Sequence, residues 1–462
     1  MIVRAFRRLF EGEETLLGRI GSSSWLTGYR AAMTAAWPFL VLYYFARKGS
    51  GLGLGEHGLG RLGLALPSPV LNGPRIWIHA LSVGETLSAV PLVQSLKALS
   101  PETRILFSSA TATGWATARE RLSPWVSTFF VLPHDFPWTA DLLVSRLKPR
   151  RFVLVETDLW PHFLRTLRRR RVPAVLVNGR LSERSYRRFL RFKPLVRSIL
   201  EEFECIFPQS DGDASRFLDL GVRPERIRLE GNLKFDSSRP RESREGLLDL
   251  RREVLGDQDR PAWIAGSTHP GEEEILLDVH ASLRRDLPEL LLILAPRQPR
   301  RGTEIGGRAS ARGFSWAARS TGESAVGKDV YVLDTLGELG RFYGLADAAF
   351  IGGSLVPFGG HNPLEAAAVG KPTVWGSHMS NFRDMEAMLL ESGCAARVDS
   401  GAELLSTLRV WLGGIEMRKS MGTRAKELMD RNRGCSERIA LSLLDALEDA
   451  AFPGANLRNE AP

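Results

Sequence analysis

Glu85 closes the segment HALSVGE (79–85), where an apolar run ends, turns through Gly84 and opens a helix. A carboxylate at that point sits at the mouth of a sheet, beside the exposed amides of a helix N-terminus. It has two readings: a proton acceptor for an incoming hydroxyl, or a favourable acidic residue in a first helical turn. Ser82 suits the N-cap. The segment ETDLWP (156–161) repeats the arrangement, since a buried strand finishing on Glu156 leaves a carboxylate where its helix begins. NGRLS (178–182) follows the next apolar run, and Arg180 offers a planar fork for a carboxylate or phosphate. Further along, GGSLVPFGGHNPLE (352–365) runs from an apolar stretch through a glycine-rich turn into a helix starting near Pro363. Gly352, Gly353 and Ser354 are the expected anion cradle, because glycines let backbone approach a ligand and a helix start presents N–H groups. Glu365, just inside that helix, suits ribose hydroxyls. GSTHP (266–270) and APRQPRR (295–301) also follow apolar runs, and Arg297 and Lys234 are candidates for a donor's charged groups.

These segments need a scaffold that brings strand ends together. Short apolar runs at 76–81, 104–109, 128–132, 152–156, 174–178 and 205–209 alternate with helical sequence. A second series at 262–266, 290–294, 330–333, 348–352 and 373–375 does the same after a charged stretch, 237–260, that reads as a linker carrying a helix. Continuous apolar runs fit strands covered on both faces, and repeated β-then-α units predict an α/β fold of two Rossmann-like, doubly wound parallel sheets. Ligands in such sheets bind beyond the strand carboxyl ends, which makes the inter-domain cleft the expected site. The expected division is an anchor region at 1–50, an acceptor-side domain at 51–236, a donor-side domain at 237–452 and a flexible tail at 453–462. The glycine-rich 51–63 has no strand before it and reads as a flexible connector.

The chain of 462 residues carries a net charge of +9, which predicts an anionic partner: nucleic acid, a phospholipid surface or a phosphorylated substrate. Nucleic acid loses ground because no recognisable module or aromatic interleaving accompanies the charge. Residues 31–46 form an uncharged apolar run flanked by Arg30, Arg47 and Lys48, read as a membrane anchor that spans the bilayer or lies in its interface, with the catalytic body on the cytoplasmic side. Basic clusters containing Arg168 and Arg187 are then expected to face anionic lipid, solvated helix faces being the alternative. Three widely spaced cysteines with no CxxC pair point to a reducing compartment. No metal site emerges; Asp211 and Asp213 sit where helix capping explains them.

In this order and spacing, HALSVGE, ETDLWP, NGRLSERS, PQSDGD, GNLKFD, GSTHPGEE, APRQPRR, GGSLVPFGGHNPLEAA and GSHMSNF resemble the transferases of 3-deoxy-D-manno-octulosonic acid (Kdo). The likeness runs from about Trp77 to Asp384. It implies a GT-B fold with an N-terminal membrane anchor at the cell inner membrane, a CMP-Kdo donor, a lipid A precursor as acceptor in lipopolysaccharide biosynthesis, and inverting chemistry without metal or other cofactor. It also implies Glu85 as general base. Arg297, Gly352, Gly353, Ser354, Asn362, Pro363 and Glu365 would form the CMP side. Ser82, Glu156 and Lys234 would lie near the reacting sugar, and Arg180, Arg168 and Arg187 would meet acceptor phosphate. The chain departs from the family pattern at Gln298, where a histidine is usual, and at Asp158 and His162 in ETDLWPH, where ETELWPN is usual. Another GT-B enzyme acting on a UDP-sugar, or a non-catalytic sugar-nucleotide-binding protein at the membrane, is the alternative.

Overall fold

The computed structural model describes residues 24–46, 56–68, 73–238, 243–257 and 260–449. The start of the anchor region, positions 51–55 of the glycine-rich connector and the tail lie outside them. The chain divides into two compact units, one of residues up to Leu233 plus those from Gly434 onward, the other Lys234–Arg433.

In the first unit β1 (Arg75–His79), β2 (Arg104–Ser109), β3 (Val126–Val131), β4 (Arg151–Val155), β5 (Ala174–Gly179) and β6 (Phe203–Pro208) form one parallel sheet in the order 3-2-1-4-5-6. Strand side chains alternate between faces. Trp77, Leu106, Phe152, Leu154 and Leu176 therefore join the core on one side, while Ile76, Ile78, Ile105, Phe107, Val153 and Val155 join the core on the other. This two-sided burial is why the strands read as unbroken apolar runs. The strand order reverses between β1 and β4; Glu85 lies in the first turn of the helix that follows β1, and Glu156 directly follows β4.

The second unit holds β7 (Ala262–Thr268), β8 (Leu291–Pro296), β9 (Trp316–Ala318), β10 (Val330–Val332), β11 (Ala348–Ile351), β12 (Thr373–Trp375) and β13 (Ala395–Arg397), all parallel, in the order 13-12-11-7-8-10-9. Its reversal falls between β7 and β11, whose following loops carry GSTHPGEE and the glycine-rich turn. The charged stretch does carry a helix, Arg244–Leu255, whose Leu250, Val254 and Leu255 enter this unit's core.

Two expectations need correction. The last helix, Cys435–Asp449, belongs to the first unit: Cys435, Ile439, Ala440 and Leu443 lie on one helical face and fill the core there, and Ser95 Oγ meets Ser436 Oγ at 3.3 Å. Residues 56–63 are not a loose connector, because Glu56–Arg61 is helical and the buried Arg61 guanidinium donates to Leu132 O at 2.6 Å and meets His134 Nδ1 at 3.0 Å. The apolar run lies within a longer helix, Ser24–Ala46, yet among the described residues no helix is long and apolar enough to cross a membrane. One side of that helix is held to the first unit by Tyr29 Oη donating to Asp135 (2.9 Å), Tyr44 Oη against His134 Nε2 (3.1 Å) and Trp37 edge-on to Trp138. Its other side leaves Phe39, Leu42 and Phe45 exposed at 72%, 66% and 53%.

Candidate active site

At the β1 end, Ser82 is the N-cap of helix Val83–Leu99 and Glu85 is its third residue. The two form a capping box: Ser82 Oγ accepts from Glu85 N, and the Glu85 carboxylate accepts from Leu81 N at 2.5 Å and Ser82 Oγ at 3.1 Å. The first-turn reading of Glu85 is therefore correct as far as it goes. The electrostatics add a second property. Burial and the neighbouring Glu156 push the Glu85 carboxyl up to about 7, Leu81 N and Ser82 pull it back, and Asp158 adds to the rise. A half-buried carboxyl that titrates near neutrality is suited to moving protons.

Glu156 reaches this position through a left-handed backbone, φ 60°, at the end of β4. Asn178 at the end of β5 (φ 56°) and Ser267 in β7 (φ 58°) share that conformation. Each costs about 1–3 kcal/mol in a non-glycine residue, and such strain concentrates where side chains must be aimed. Asp158 accepts from Trp160 Nε1 at 2.7 Å, and burial raises its pKa against the pull of Trp160 and Arg61. Arg61 lies over the Trp160 ring, 5.4 Å from its centre. The buried Arg61 thus stands behind the acidic loop, a neighbour that the glycine-rich sequence around it gave no sign of. His162 is a core residue whose Nε2 meets Pro137 O at 3.1 Å.

The basic candidates separate. Arg180 N donates to Thr157 Oγ1 at 3.1 Å, which seats it beside the acidic loop. Arg168 is not brought there. Helix Pro161–Arg169 starts at that loop and carries Arg168 roughly 10 Å along its axis, where it pairs with Glu202 at 3.5 Å. Arg187 is exposed and pairs with Glu183 at 2.7 Å.

In the second unit the glycine turn is not an open cradle. The buried Glu272 carboxylate already accepts from Gly353 N (2.7 Å), Ser354 N (3.0 Å) and Leu355 N (3.0 Å), and from His269 N at 2.9 Å. Burial raises the Glu272 pKa while these amides pull it down. Ser354 Oγ is equally committed, donating to Ile351 O and accepting from Gly376 N. Gly352 is required by packing, since a Cβ there would stand 2.3 Å from Ser267 O. The glycines, expected to make room for a ligand, make room for backbone and for a carboxylate of the chain itself. The adjacent Glu273, also buried, accepts from Thr268 Oγ1 at 3.0 Å and pairs with Arg301 at 2.8 Å.

Around this core lie the other candidate residues of this unit. The helix begins one residue later than expected, Leu364–Ala368 with Pro363 at its cap. Asn362 Oδ1 accepts from Leu364 N and its amide donates to Ser238 Oγ at 3.0 Å, while Glu365 is half-buried one turn on. His269 and His361 lie nearly parallel with Nε2 atoms 2.9 Å apart, and Phe358 stacks on His269. Arg297 is exposed beside them, while Gln298 accepts from Arg300. Lys234 Nζ lies over the Phe382 ring at 5.7 Å. The paired glutamates and the histidine pair were missed. Their only sequence signal was two adjacent acids after a Thr-His-Pro-Gly turn.

Two parallel-sheet α/β units make up the described chain, an architecture like that of GT-B proteins. The fold is similar to that of UDP-GlcNAc 2-epimerase from Neisseria meningitidis bound to UDP-GlcNAc, with a TM-score of 0.54 at 11% identity, covering 80% of this chain and all of that one. Sequence makes the assignment narrower. Residues 56–237 match the family described as 3-Deoxy-D-manno-octulosonic-acid transferase (kdotransferase). The chain is 36% identical over 375 residues to the 3-deoxy-D-manno-octulosonic acid transferase of Haemophilus influenzae, covering 81% of this chain and 87% of that protein. It is 33% identical over 399 residues to the Bordetella pertussis enzyme of the same name, covering 84% and 90%. The chain belongs to the 3-deoxy-D-manno-octulosonic acid transferase family of glycosyltransferases.

Proposed function

We propose that the chain transfers Kdo from CMP-Kdo to a lipid A precursor, in lipopolysaccharide biosynthesis, with Glu85 as the general base. The observation that carries the mechanism is the Glu85 carboxyl, fixed by Leu81 N and Ser82 Oγ and raised to about 7 by burial and by Glu156. As its ionised form accepts the proton of an acceptor hydroxyl, the oxygen attacks the anomeric carbon of Kdo and CMP leaves from the opposite face, which inverts that centre. Arg180, beside the acidic loop, suits an acceptor phosphate. Arg297, Asn362 and Glu365 form the donor side, the first for charge and the other two for hydroxyls. The charge on the departing phosphate is met by cationic side chains, and the mechanism calls for no metal or other cofactor.

Attachment to an anionic membrane surface belongs to the same proposal, with the body on the cytoplasmic side of the inner membrane. The exposed Phe39, Leu42 and Phe45 lie on a helix whose Trp37 touches the exposed Trp138, and the strongly basic helix Glu183–Arg191 buries no residue. An apolar face, with cationic side chains on another helix of the same unit, suits insertion into the headgroup layer rather than across it.

Competition binding tests the donor assignment: CMP displaces a labelled CMP analogue, and UDP at the same concentration does not. Preference for UDP would reject CMP-Kdo as donor and favour the UDP-sugar alternative.

A further inference from the structure

His269 and His361 follow β7 and β11, the two strands flanking the reversal of the second sheet. Their Nε2 atoms are 2.9 Å apart, a separation that requires one nitrogen to carry a proton and the other a lone pair. Phe358 stacks on the His269 ring with centroids 4.0 Å apart. On another side lies Gly353, where a Cβ would come within 3.2 Å of His361 Cδ2 and 3.3 Å of His269 Cδ2. The pair is therefore held in place by packing.

The charges acting on it come from two segments. Arg297 and Arg301 follow β8, and Glu273 lies on helix Glu272–Leu283. Glu273 is committed to Arg301, and Glu272 to the amides of Gly353, Ser354 and Leu355. The Arg297 guanidinium has no ion pair among the described residues, and its charge acts on both rings. Burial, Arg297 and His269 hold His361 down at about 4. His269 is lowered by burial, against Glu273, with Arg297 and Arg301 adding to the fall. Both rings are thus neutral at pH 7 while the site is empty. An anion there finds the amides of Gly353, Ser354 and Leu355 already taken by Glu272, and the imidazoles are the titratable groups beside Arg297 that can add positive charge.

We propose that the His269–His361 pair is the phosphate-contacting acid of this site, taking up one proton when a nucleotide phosphodiester binds. The inference rests on the donor assignment made above. During transfer the bond from the anomeric carbon to the bridging phosphate oxygen breaks, and its electron pair goes to that oxygen. The imidazolium proton moves to the phosphate, the acceptor oxygen forms the new bond to carbon, and the acceptor's own proton goes to Glu85. The pair ends neutral, and Glu85 returns its proton to solvent, replacing the one taken up on binding. This resembles anion-linked histidine titration elsewhere, where a bound negative charge draws the imidazolium into existence.

The test is calorimetry of the full chain at pH 7 with the methyl ester of CMP, a phosphodiester that does not itself titrate there, in buffers of differing ionisation enthalpy. Uptake of about 0.5–1 proton per ester bound is expected, with none for cytidine. His361→Gln and His269→Gln each lose the uptake, and affinity falls about 10-fold, as for loss of a charge-assisted hydrogen bond. Binding of the ester to the unaltered chain without proton uptake overturns the proposal, as does uptake that survives in both variants. An ester that fails to bind while a uridine nucleotide does removes the donor assignment, and this inference with it.

Discussion

Replacing Glu85 by glutamine separates its two roles. Glutamine keeps one side-chain oxygen to accept from Leu81 N and presents its amide to Ser82 Oγ, so the capping box survives. What disappears is the ionisable group. Wild-type activity is expected to rise with pH through about 7, because the base is the ionised form and burial with Glu156 holds the carboxyl near that value. In Glu85→Gln the rate falls at least ~100-fold at pH 8, within the range for losing a general base, and the rising limb vanishes. Stability moves the other way. A carboxyl whose folded pKa lies above its unfolded value stabilises the protein at low pH and loses that contribution as pH rises through about 7. At pH 8 the variant is therefore more stable than wild type, by about 1–3 kcal/mol. Glu85→Ala loses both roles, and it is less stable than the glutamine variant by about 1 kcal/mol because the contacts to Leu81 N and Ser82 Oγ go as well. The assay is CMP release across pH 5–9 beside urea unfolding of all three proteins. A glutamine variant with near-normal turnover, or with an unchanged rising limb, refutes the reasoning and leaves Glu85 as a helix cap alone.

Other outcomes follow from the same geometry. Glu156→Gln removes the like charge beside Glu85, so the rising limb shifts to lower pH; an unshifted limb shows that Glu156 does not reach Glu85 electrostatically. Glu272→Gln turns an acceptor of four backbone N–H groups into one with donors of its own, and a loss of about 2–4 kcal/mol is expected by urea unfolding. A loss under about 1 kcal/mol would mean that those bonds do little. Phe39→Ser with Leu42→Ser is expected to reduce binding to phosphatidylglycerol vesicles by at least ~10-fold, from the apolar area withdrawn; equal binding in a flotation assay removes this face from the attachment proposal.

Much of the scaffold was legible because its strands are buried on both faces, so Val153, Val155 and their neighbours appear as unbroken apolar runs. β9 and β13 were not, since each has three residues at an edge of the sheet and little periodicity to read. The last helix could be seen as a helix but not assigned to a unit, because an apolar face at 435, 439, 440 and 443 does not say which sheet it covers. Glu85 was found from its place after an apolar run. Its raised pKa was out of reach, because it depends on β1 lying beside β4 rather than beside β2 alone. The glycine-rich turn misled for a related reason: its density of glycine answers the backbone at Ser267 and the carboxylate of Glu272, both supplied by a segment some eighty residues earlier, and local sequence cannot reveal such a neighbour.

The central claim is tested most directly by mass spectrometry of the lipid after the purified chain is incubated, in vesicles, with CMP-Kdo and a tetraacylated lipid A precursor. A product heavier by one or more Kdo residues is expected, with released CMP to match, and neither in Glu85→Gln. An unmodified lipid from active wild-type protein, or one modified only when a UDP-sugar is supplied, contradicts it.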